Sequence, residues 1–252
     1  LDNVKGVVEH FFEYITGSLT DVTFEIRAAE DIKAADGVSP DYYSKDELVA
    51  TVTTDANGVA EVSDLPVGKY YVKEKETANG YVLDSTAREI DLTYRDQDTA
   101  EVTYSSDWQN NRQKAEVKVL KKEKDSDRVL EGAVFALCNK EDIVNANGDV
   151  ILKADTVIEE LATDKEGKLT FTADLPIGYT YYVKETSPAP GFATTDQVQE
   201  FTFEYDGADK ETLSYEFTFE DEPTVVEITK TSLTDGKELE GAKLEVTDED
   251  GK

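Results

Sequence analysis

The chain has 252 residues, with 56 acidic side chains against 26 basic ones and a formal net charge of −30. A charge of this sign and size repels nucleic-acid phosphates and anionic lipid head groups, so we expect no nucleic-acid partner. No apolar run is long enough to cross a bilayer, and the single cysteine, Cys138, excludes an intrachain disulfide.

Short runs of alternating apolar and polar residues follow one another along the chain. In chain order they include AEVKVLKK from Ala115, KLTFTAD from Lys168 and QEFTFEYD from Gln199, each bounded by Gly, Pro, Asn or Asp. Alternation with period two is typical of half-buried antiparallel strands, whereas helical periodicity is nearly absent. The sequence therefore predicts an all-β protein, with Cys138 as a small apolar filler in a strand.

Two longer patterns recur about one domain length apart. GSLTDVTFEI from Gly17 returns as RVLEGAVFAL from Arg128 and as KELEGAKLEV from Lys237. TTDANGVAEVSDLPVGKYYVKEKETANGY from Thr53 returns as ATDKEGKLTFTADLPIGYTYYVKETSPAPGF from Ala162. Such repeats predict tandem Greek-key β-sandwich domains of about seven strands each. We place them at residues 1–112, 113–223 and 224–252, the last being the start of a third, incomplete domain.

The order of these elements is itself informative. A strand with an inward lysine precedes Leu-x-Gly-Ala-x-Phe, and Leu-Pro-x-Gly precedes Tyr-Tyr-Val-Lys-Glu-Thr and Ala-Pro-Gly-Phe. Over nearly the whole chain, this order resembles the Cna B-type domains of Gram-positive surface adhesins and pilins. The resemblance implies a prealbumin-like, Ig-like sandwich in which a first-strand lysine forms an isopeptide bond with a last-strand Asn or Asp. A core glutamate promotes the reaction.

In the second domain the resemblance implies a complete set of reacting residues. Lys121 takes the lysine position, in phase with Val119 on the first strand. Asp221 takes the acceptor position, in phase with Phe219 on the last strand, and Glu185 is the promoter. Without the resemblance, the same three ionisable residues would be interpreted as an ordinary ion cluster.

The other two domains match only in part. In the first, Glu74 fits the promoter and Asn110 the acceptor, but the lysine position falls on His10, the only histidine. We therefore expect no cross-link there, unless a shifted strand lets Lys5 reach Asn110, and we expect His10 to be a packed core residue. In the third domain Lys230 fits the lysine position, with its partners outside the chain.

The implied chemistry needs only burial and contact. A lysine amine must be neutral to attack a carboxyl carbon, and burial favours the neutral amine. Burial also favours protonated Glu185, which can then donate a hydrogen bond to the Asp221 carbonyl and shuttle protons. Because the groups are held in contact, effective molarity replaces an external enzyme. We expect self-modification only, with no cofactor and no metal.

Two further features have plain interpretations. The acidic turns TDANG from Thr54 and TDKEG from Thr163 favour hairpin turns over calcium sites, since neither has the full ligand spacing. The tyrosine pairs at 70–71 and 181–182 are expected to alternate between core and sheet surface, rather than to form a glycan platform.

No enzyme with an external substrate is indicated, because the chain has one histidine, one cysteine and no nucleophile elbow. We predict an extracellular structural stalk or spacer segment, monomeric as a segment, of a cell-wall-anchored adhesin or pilin shaft. Sortase would polymerise the parent if it is a pilin, and the anchor lies outside this chain. The alternative is an adhesin module that binds a host glycan or matrix protein through the insertion from Asp31 to Glu47.

Overall fold

A computed structural model describes residues 10–96, 98, 101–234, 236–237, 240–241, 243 and 245–247. All regular structure in these ranges is β-strand, which confirms the predicted all-β class. Within the same ranges, no helix has the length and apolar content to span a membrane. The strands are β1 (Thr23–Ala28), β2 (Leu48–Thr53), β3 (Lys69–Glu76), β4 (Arg88–Asp91), β5 (Lys114–Glu123), β6 (Val134–Asn139), β7 (Ile143–Val144), β8 (Val150–Leu152), β9 (Val157–Ala162), β10 (Lys168–Phe171), β11 (Tyr179–Ser187), β12 (Val198–Phe203) and β13 (Thr212–Asp221).

The first four strands form an antiparallel sheet in the order β2-β1-β3-β4, which we call the N-terminal sheet. Alternate residues of β1 and β3 face one side, where Phe24, Ile26, Tyr70 and Val72 are buried. Trp108 packs on this face, with its ring centroid 5.1 Å from that of Phe24. The period-two pattern of the sequence is therefore the pattern of burial.

Strands β5 to β13 build the C-terminal sandwich. One sheet has the order β10-β5-β13 and the other β12-β11-β6-β9, with β7 and β8 as a separate hairpin. The central strand β5 pairs antiparallel with β10 and parallel with β13 over all ten residues of β13. Apolar side chains from both sheets meet in one core, among them Val119, Phe135, Val183 and Phe219.

The two copies of the repeat share hydrogen bonds as well as sequence. Thr54 Oγ1 donates to the backbone oxygen of Leu19 at 2.8 Å, and Thr163 Oγ1 donates to that of Leu130 at 2.7 Å. In each copy, the threonine at the start of the TD turn therefore binds the turn to a leucine that lies shortly before an earlier strand, β1 in the first copy and β6 in the second. The leucine side chains themselves pack on the core of each unit, which accounts for the recurring leucine.

Both acidic segments form turns, but the prediction of hairpin turns is wrong: β9 and β10, which flank the second turn, lie in different sheets, and residues 59–63 after the first turn form no strand. Asp55 and Asp164 each accept two backbone amides, from the residues two and four positions later. Gly167 closes the second turn with a φ of +70°, a conformation that favours glycine. A Cβ at this position would lie 2.6 Å from the backbone oxygen of Lys121, so the turn can approach the lysine strand only without a side chain.

The cysteine and the tyrosine pairs agree with expectation in all but one detail. Cys138 is fully buried in β6, and burial raises the pKa of its thiol. Tyr70 and Tyr181 are core residues with no exposed surface, and Tyr71 is half-buried on the other face of its sheet. Tyr182 also lies on the outer face, yet it is 9% exposed because it packs against Cys138.

The N-terminal unit differs from the sandwich in one respect. Among the described residues, segments 59–63 and 101–110 form no strand, although their counterparts β10 and β13 pair with β5. A strand needs a neighbouring strand to pair with its backbone groups. In the N-terminal unit, the segment that would correspond to β5 precedes β1, and its described residues, from His10 onward, contact the sandwich instead. His10 donates its amide to Ile158 of β9 at 2.7 Å, and Phe12 packs on the core of the sandwich. The prediction that His10 is a core residue of the first domain is therefore wrong, because it is half-buried beside the sandwich.

Residues 111–114, which we call the joint, connect the two units through a fully buried glutamine. The Gln113 side chain donates to the backbone oxygens of Gly207 and Lys210 at 3.1 and 2.7 Å and accepts the amide of Asp206 at 3.0 Å. Its own amide donates to Gly80 of the N-terminal unit at 2.9 Å. One residue thus binds both units, and the joint is an ordered segment with satisfied polar groups.

Gln113→Ala is expected to loosen the joint. The substitution removes three hydrogen bonds to backbone groups of residues 206, 207 and 210, each worth about 0.5–1.5 kcal/mol. Urea unfolding should show a lower midpoint, and small-angle X-ray scattering should show a wider range of end-to-end dimensions. Gln109→Ala, at an exposed glutamine, is the matched control. Equal behaviour of the two variants would contradict the role given to Gln113.

Candidate cross-link site

Lys121 lies inside the C-terminal sandwich because of the phase of β5. Every second residue of this strand points inward, and Val117, Val119 and Lys121 have exposed fractions of 1%, 2% and 0%. The backbone on both sides of the lysine is held: its amide donates to Gly167 at 2.7 Å, and its carbonyl accepts the amide of Leu130 at 3.0 Å. The strand therefore places the Lys121 amine in the core, and the bonded backbone keeps this side chain pointing inward.

The last strand brings a carboxyl group to the same place. β13 runs parallel to β5, and Phe219 is paired with Lys121, so Asp221 follows on the same inward face. Asp221 is 1% exposed, and its side chain contacts the Lys121 amine directly. The backbone oxygen of Asp221 accepts a hydrogen bond from the amide of Lys124 at 2.9 Å. The first and last strands of the sandwich thus place an amine against a carboxyl group.

The third member comes from the opposite sheet. Glu185 lies on β11, and its Oε1 is 3.0 Å from the Nζ of Lys121. Its other oxygen, Oε2, accepts the backbone amide of Thr195 at 3.0 Å. The side chains of Lys121, Glu185 and Asp221 have no exposed surface. The structure therefore brings together the three residues that the sequence predicted for the second domain.

The surroundings of the three groups are apolar. The Lys121 amine lies 5.6 Å from the ring centroid of Phe135, which packs against Phe219 with centroids 4.8 Å apart. Burial raises the pKa of the Glu185 carboxyl, and the nearby Asp221 charge adds to this, while the Thr195 amide and Lys121 oppose it. Glu185 therefore keeps its proton to a higher pH than an exposed glutamate does.

Two oxygens of the cluster lack hydrogen bonds. Glu185 Oε1 and Asp221 Oδ2 are buried and have no hydrogen-bond partner, although Oε1 is within ion-pair distance of the amine. An ion cluster with a purely structural role normally satisfies such atoms, because unpaired buried oxygens are costly. A surface cavity of about 400 Å³ is lined in part by Thr195, Asp221 and Glu222, although the side chain of Asp221 has no exposed surface.

The N-terminal unit contains the corresponding pair. Asn110 Nδ2 donates to both carboxylate oxygens of Glu74, at 2.9 and 2.8 Å, and to the backbone oxygen of Val82 at 2.9 Å. Glu74 is 4% exposed. Lys5 lies outside the described residues, so a bond from Lys5 to Asn110 stays a prediction, as does its absence. The predicted promoter and acceptor of the first domain are neighbours in space.

Lys230, predicted for the third domain, is exposed. Val226 and Ile228, which precede it in phase, are 80% and 51% exposed. The partners predicted for Lys230 lie outside the chain, so its role stays a prediction.

Sequence reasoning missed the backbone amide that binds the promoter. Thr195 donates to Glu185, and Asp84 donates to Glu74 at 2.6 Å, each ten residues after its glutamate. The two donors have different side chains, so no residue type marks the position. The constant spacing after the repeated Tyr-Tyr-Val-Lys-Glu segment is the signal that could have found it.

The fold is similar to that of several solved structures. The Bacillus anthracis TIE protein matches with a TM-score of 0.51 and 24% identity, over 82% of this chain and 31% of that one. The shaft pilin SpaA of Lactobacillus rhamnosus GG matches with a TM-score of 0.33 and 20% identity, over 83% and 90%. The minor pilin GBS52 of Streptococcus agalactiae gives 0.32 and 19%, over 86% and 88%.

The chain thus spans about a third of the TIE protein, and at these identities the likeness concerns the fold. No curated protein matches the chain. The family model for the SpaA prealbumin-like fold domain matches twice, at residues 14–108 and 115–217. These two stretches cover most of the chain and contain Glu74 and Glu185, while Asn110 and Asp221 lie just beyond their ends. The chain belongs to the family of SpaA prealbumin-like fold domains.

Proposed function

We propose that this chain is a load-bearing structural segment of a bacterial surface protein, and that its second domain closes an intramolecular isopeptide bond between Lys121 and Asp221. The observation that carries the proposal is the contact of one lysine with two carboxyl groups, all three without exposed surface. The tandem family domains support the structural role. Attachment to the cell wall would come from a region outside this chain.

The reaction balances without a co-reactant. The pair begins as an ammonium and a carboxylate, and one proton passes from Lys121 to Asp221, which leaves a neutral amine and a neutral acid. The Nζ lone pair then attacks Cγ of Asp221, a C–N bond forms, and a C–O bond breaks to release water. Protonated Glu185 donates a hydrogen bond to the attacked carbonyl and returns to its starting state. The cavity beside Asp221 is an exit for the water.

The position of the bond suits a segment under tension. Lys121 and Asp221 are separated by 100 residues in the chain, yet they lie side by side on parallel strands. A pull on the two ends of the second domain would pass along β5 to Lys121, through the new bond, and out after Asp221. The intervening residues would carry no load.

Intact mass under denaturing conditions tests the proposal. The wild-type chain should be lighter than its sequence by one water, and Lys121→Ala should restore the full mass because the nucleophile is absent. Lys122→Ala, at the next residue of β5, is the control and should keep the deficit. A bond between Lys5 and Asn110 would remove one ammonia in addition. A wild-type mass equal to that of the sequence would end the proposal.

A second candidate is a binding role for the insertion from Asp31 to Glu47. Its Val38 and Tyr42 are 89% and 55% exposed, so two apolar side chains are accessible to a ligand there. A glycan array and matrix-protein binding assays with the whole chain would test this. Saturable binding that disappears when residues 34–42 are replaced by a short Gly-Ser linker would favour the adhesin role over the spacer role.

A further inference from the structure

The loop after the promoter strand contacts both carboxyl members of the proposed reaction. This loop, Gly191–Thr195, follows β11, and its last residue donates the backbone amide that binds Glu185 Oε2 at 3.0 Å. That amide leaves Oε1 as the oxygen that faces Lys121 at 3.0 Å. The loop therefore determines which oxygen of the glutamate is available to the reacting pair.

The same loop is bound to the three residues that directly follow the acceptor Asp221. Ala193 donates its amide to the backbone oxygen of Glu222 at 3.0 Å, and Thr224 donates its amide to that of Gly191 at 3.0 Å. Phe192 also forms a β-bridge with Pro223. These bonds begin directly after Asp221, so the loop and the end of the last strand can be ordered only together.

The N-terminal unit repeats the arrangement bond for bond. Val82 donates to Asn111 at 2.8 Å, Gln113 donates to Gly80 at 2.9 Å, and residue 81 bridges residue 112. Asp84 then donates its amide to Glu74. The two loops share a glycine and then an aromatic residue, but their last three side chains differ, while the backbone bonds are the same. At the position that binds the glutamate, Thr195 and Asp84 have only the backbone amide in common, which points to a role for the amide itself.

We propose that the Gly191–Thr195 loop is the positioning element of the cross-link reaction, holding Glu185 through the Thr195 amide and aligning Asp221 through the bonds to residues 222 and 224. This inference rests on the proposed Lys121–Asp221 bond. It makes bond formation wait for the last strand, because Glu185 is oriented only when the loop has joined that strand. Thr195 is a positioning residue and does not contact the reacting atoms.

The proposal predicts a specific kinetic change when the amide is removed. A hydrogen bond to the ionised carboxylate lowers its pKa, as the Thr195 amide does for Glu185. Protonated Glu185 is the reactive form, so the rate should fall as pH rises through the pKa of this group. Without the amide, the midpoint of that fall should move to higher pH. The maximal rate should also fall about tenfold, because Glu185 is no longer oriented.

Thr195→Pro removes the amide hydrogen and is the first variant. Chain recovered unfolded from inclusion bodies, with its unreacted mass verified, is diluted into refolding buffers from pH 4 to 9 and quenched in denaturant. Loss of one water is then followed by mass spectrometry. Thr195→Ala keeps the amide and should react like wild type. Asp196→Pro places proline at the exposed residue directly after the loop and should keep the wild-type midpoint.

Circular dichroism shows whether Thr195→Pro refolds. If it does not, the α-hydroxy analogue of threonine at position 195, introduced by nonsense suppression, removes only the amide hydrogen and takes its place. A slower reaction with a raised midpoint supports the loop's role. A variant without the amide that reacts at the wild-type rate, or more slowly with an unmoved midpoint, overturns it. A wild-type chain that never loses water would instead refute the proposed bond itself.

Discussion

Pulled from its two ends in a single-molecule experiment, the wild-type second domain is expected to show no unfolding extension between residues 121 and 221. Glu185→Ala, which lacks the proposed promoter, should extend by roughly 330–360 Å in one event. This length follows from the 100 residues between Lys121 and Asp221 and from about 3.3–3.6 Å per extended residue.

The reason is the route that the force takes. With the bond in place, tension enters β5 and leaves through Asp221, and the backbone between them lies outside that route. Without the bond, the force loads the ladder between the parallel strands β5 and β13. The first domain is an internal control, since the bond in the second domain does not protect it. A long extension from the second domain of the wild-type chain would contradict the prediction.

Glu185→Ala is also expected to keep the full sequence mass and to melt at a much lower temperature. A covalent closure of about 100 residues restricts the unfolded chain by roughly 4–5 kcal/mol. For a domain of this size, the loss corresponds to a fall in the melting midpoint of roughly 20 °C. Intact mass and calorimetry of the same sample give both results.

A matched control separates the bond from ordinary ion pairs. Glu200→Ala removes a surface glutamate of β12 that pairs with Lys140, and exposed pairs contribute about 0–1 kcal/mol. This variant should keep the mass deficit and melt close to wild type. If Glu185→Ala still loses one water, then Glu185 is not the promoter, whatever its effect on stability.

Local pattern was enough to predict that Lys121 and Asp221 face inward, whereas their roles as a reacting pair with Glu185 came from the family resemblance. Alternation decides which face of a strand each side chain occupies, so Lys121 had to follow Val119 inward and Asp221 had to follow Phe219. The repeat then placed Glu74 and Glu185 at equivalent points of two units. These inferences succeed because they depend on spacing along one strand and on similarity between copies, both of which are visible in the printed sequence.

The failures have a common physical origin. His10 was assigned to the first domain by its spacing from Leu19, yet its amide binds Ile158 of the sandwich. Gln113 gave no sign in the sequence that it would be fully buried and bound to a turn more than ninety residues later. Such contacts join parts of the chain that are distant in sequence. A histidine amide or a glutamine side chain can bind many different partners, so the residue type does not reveal which partner it has.

The sequence by itself determined the all-β class, the tandem repeat and the inward phase of the reacting residues, because these follow from side-chain periodicity. Only the tertiary structure decided that β5 and β13 run side by side, that the joint is held by Gln113, and that the Thr195 amide binds Glu185. Every residue except proline has the same backbone amide, so its partner is chosen by the path of the chain in space and leaves no mark in the sequence.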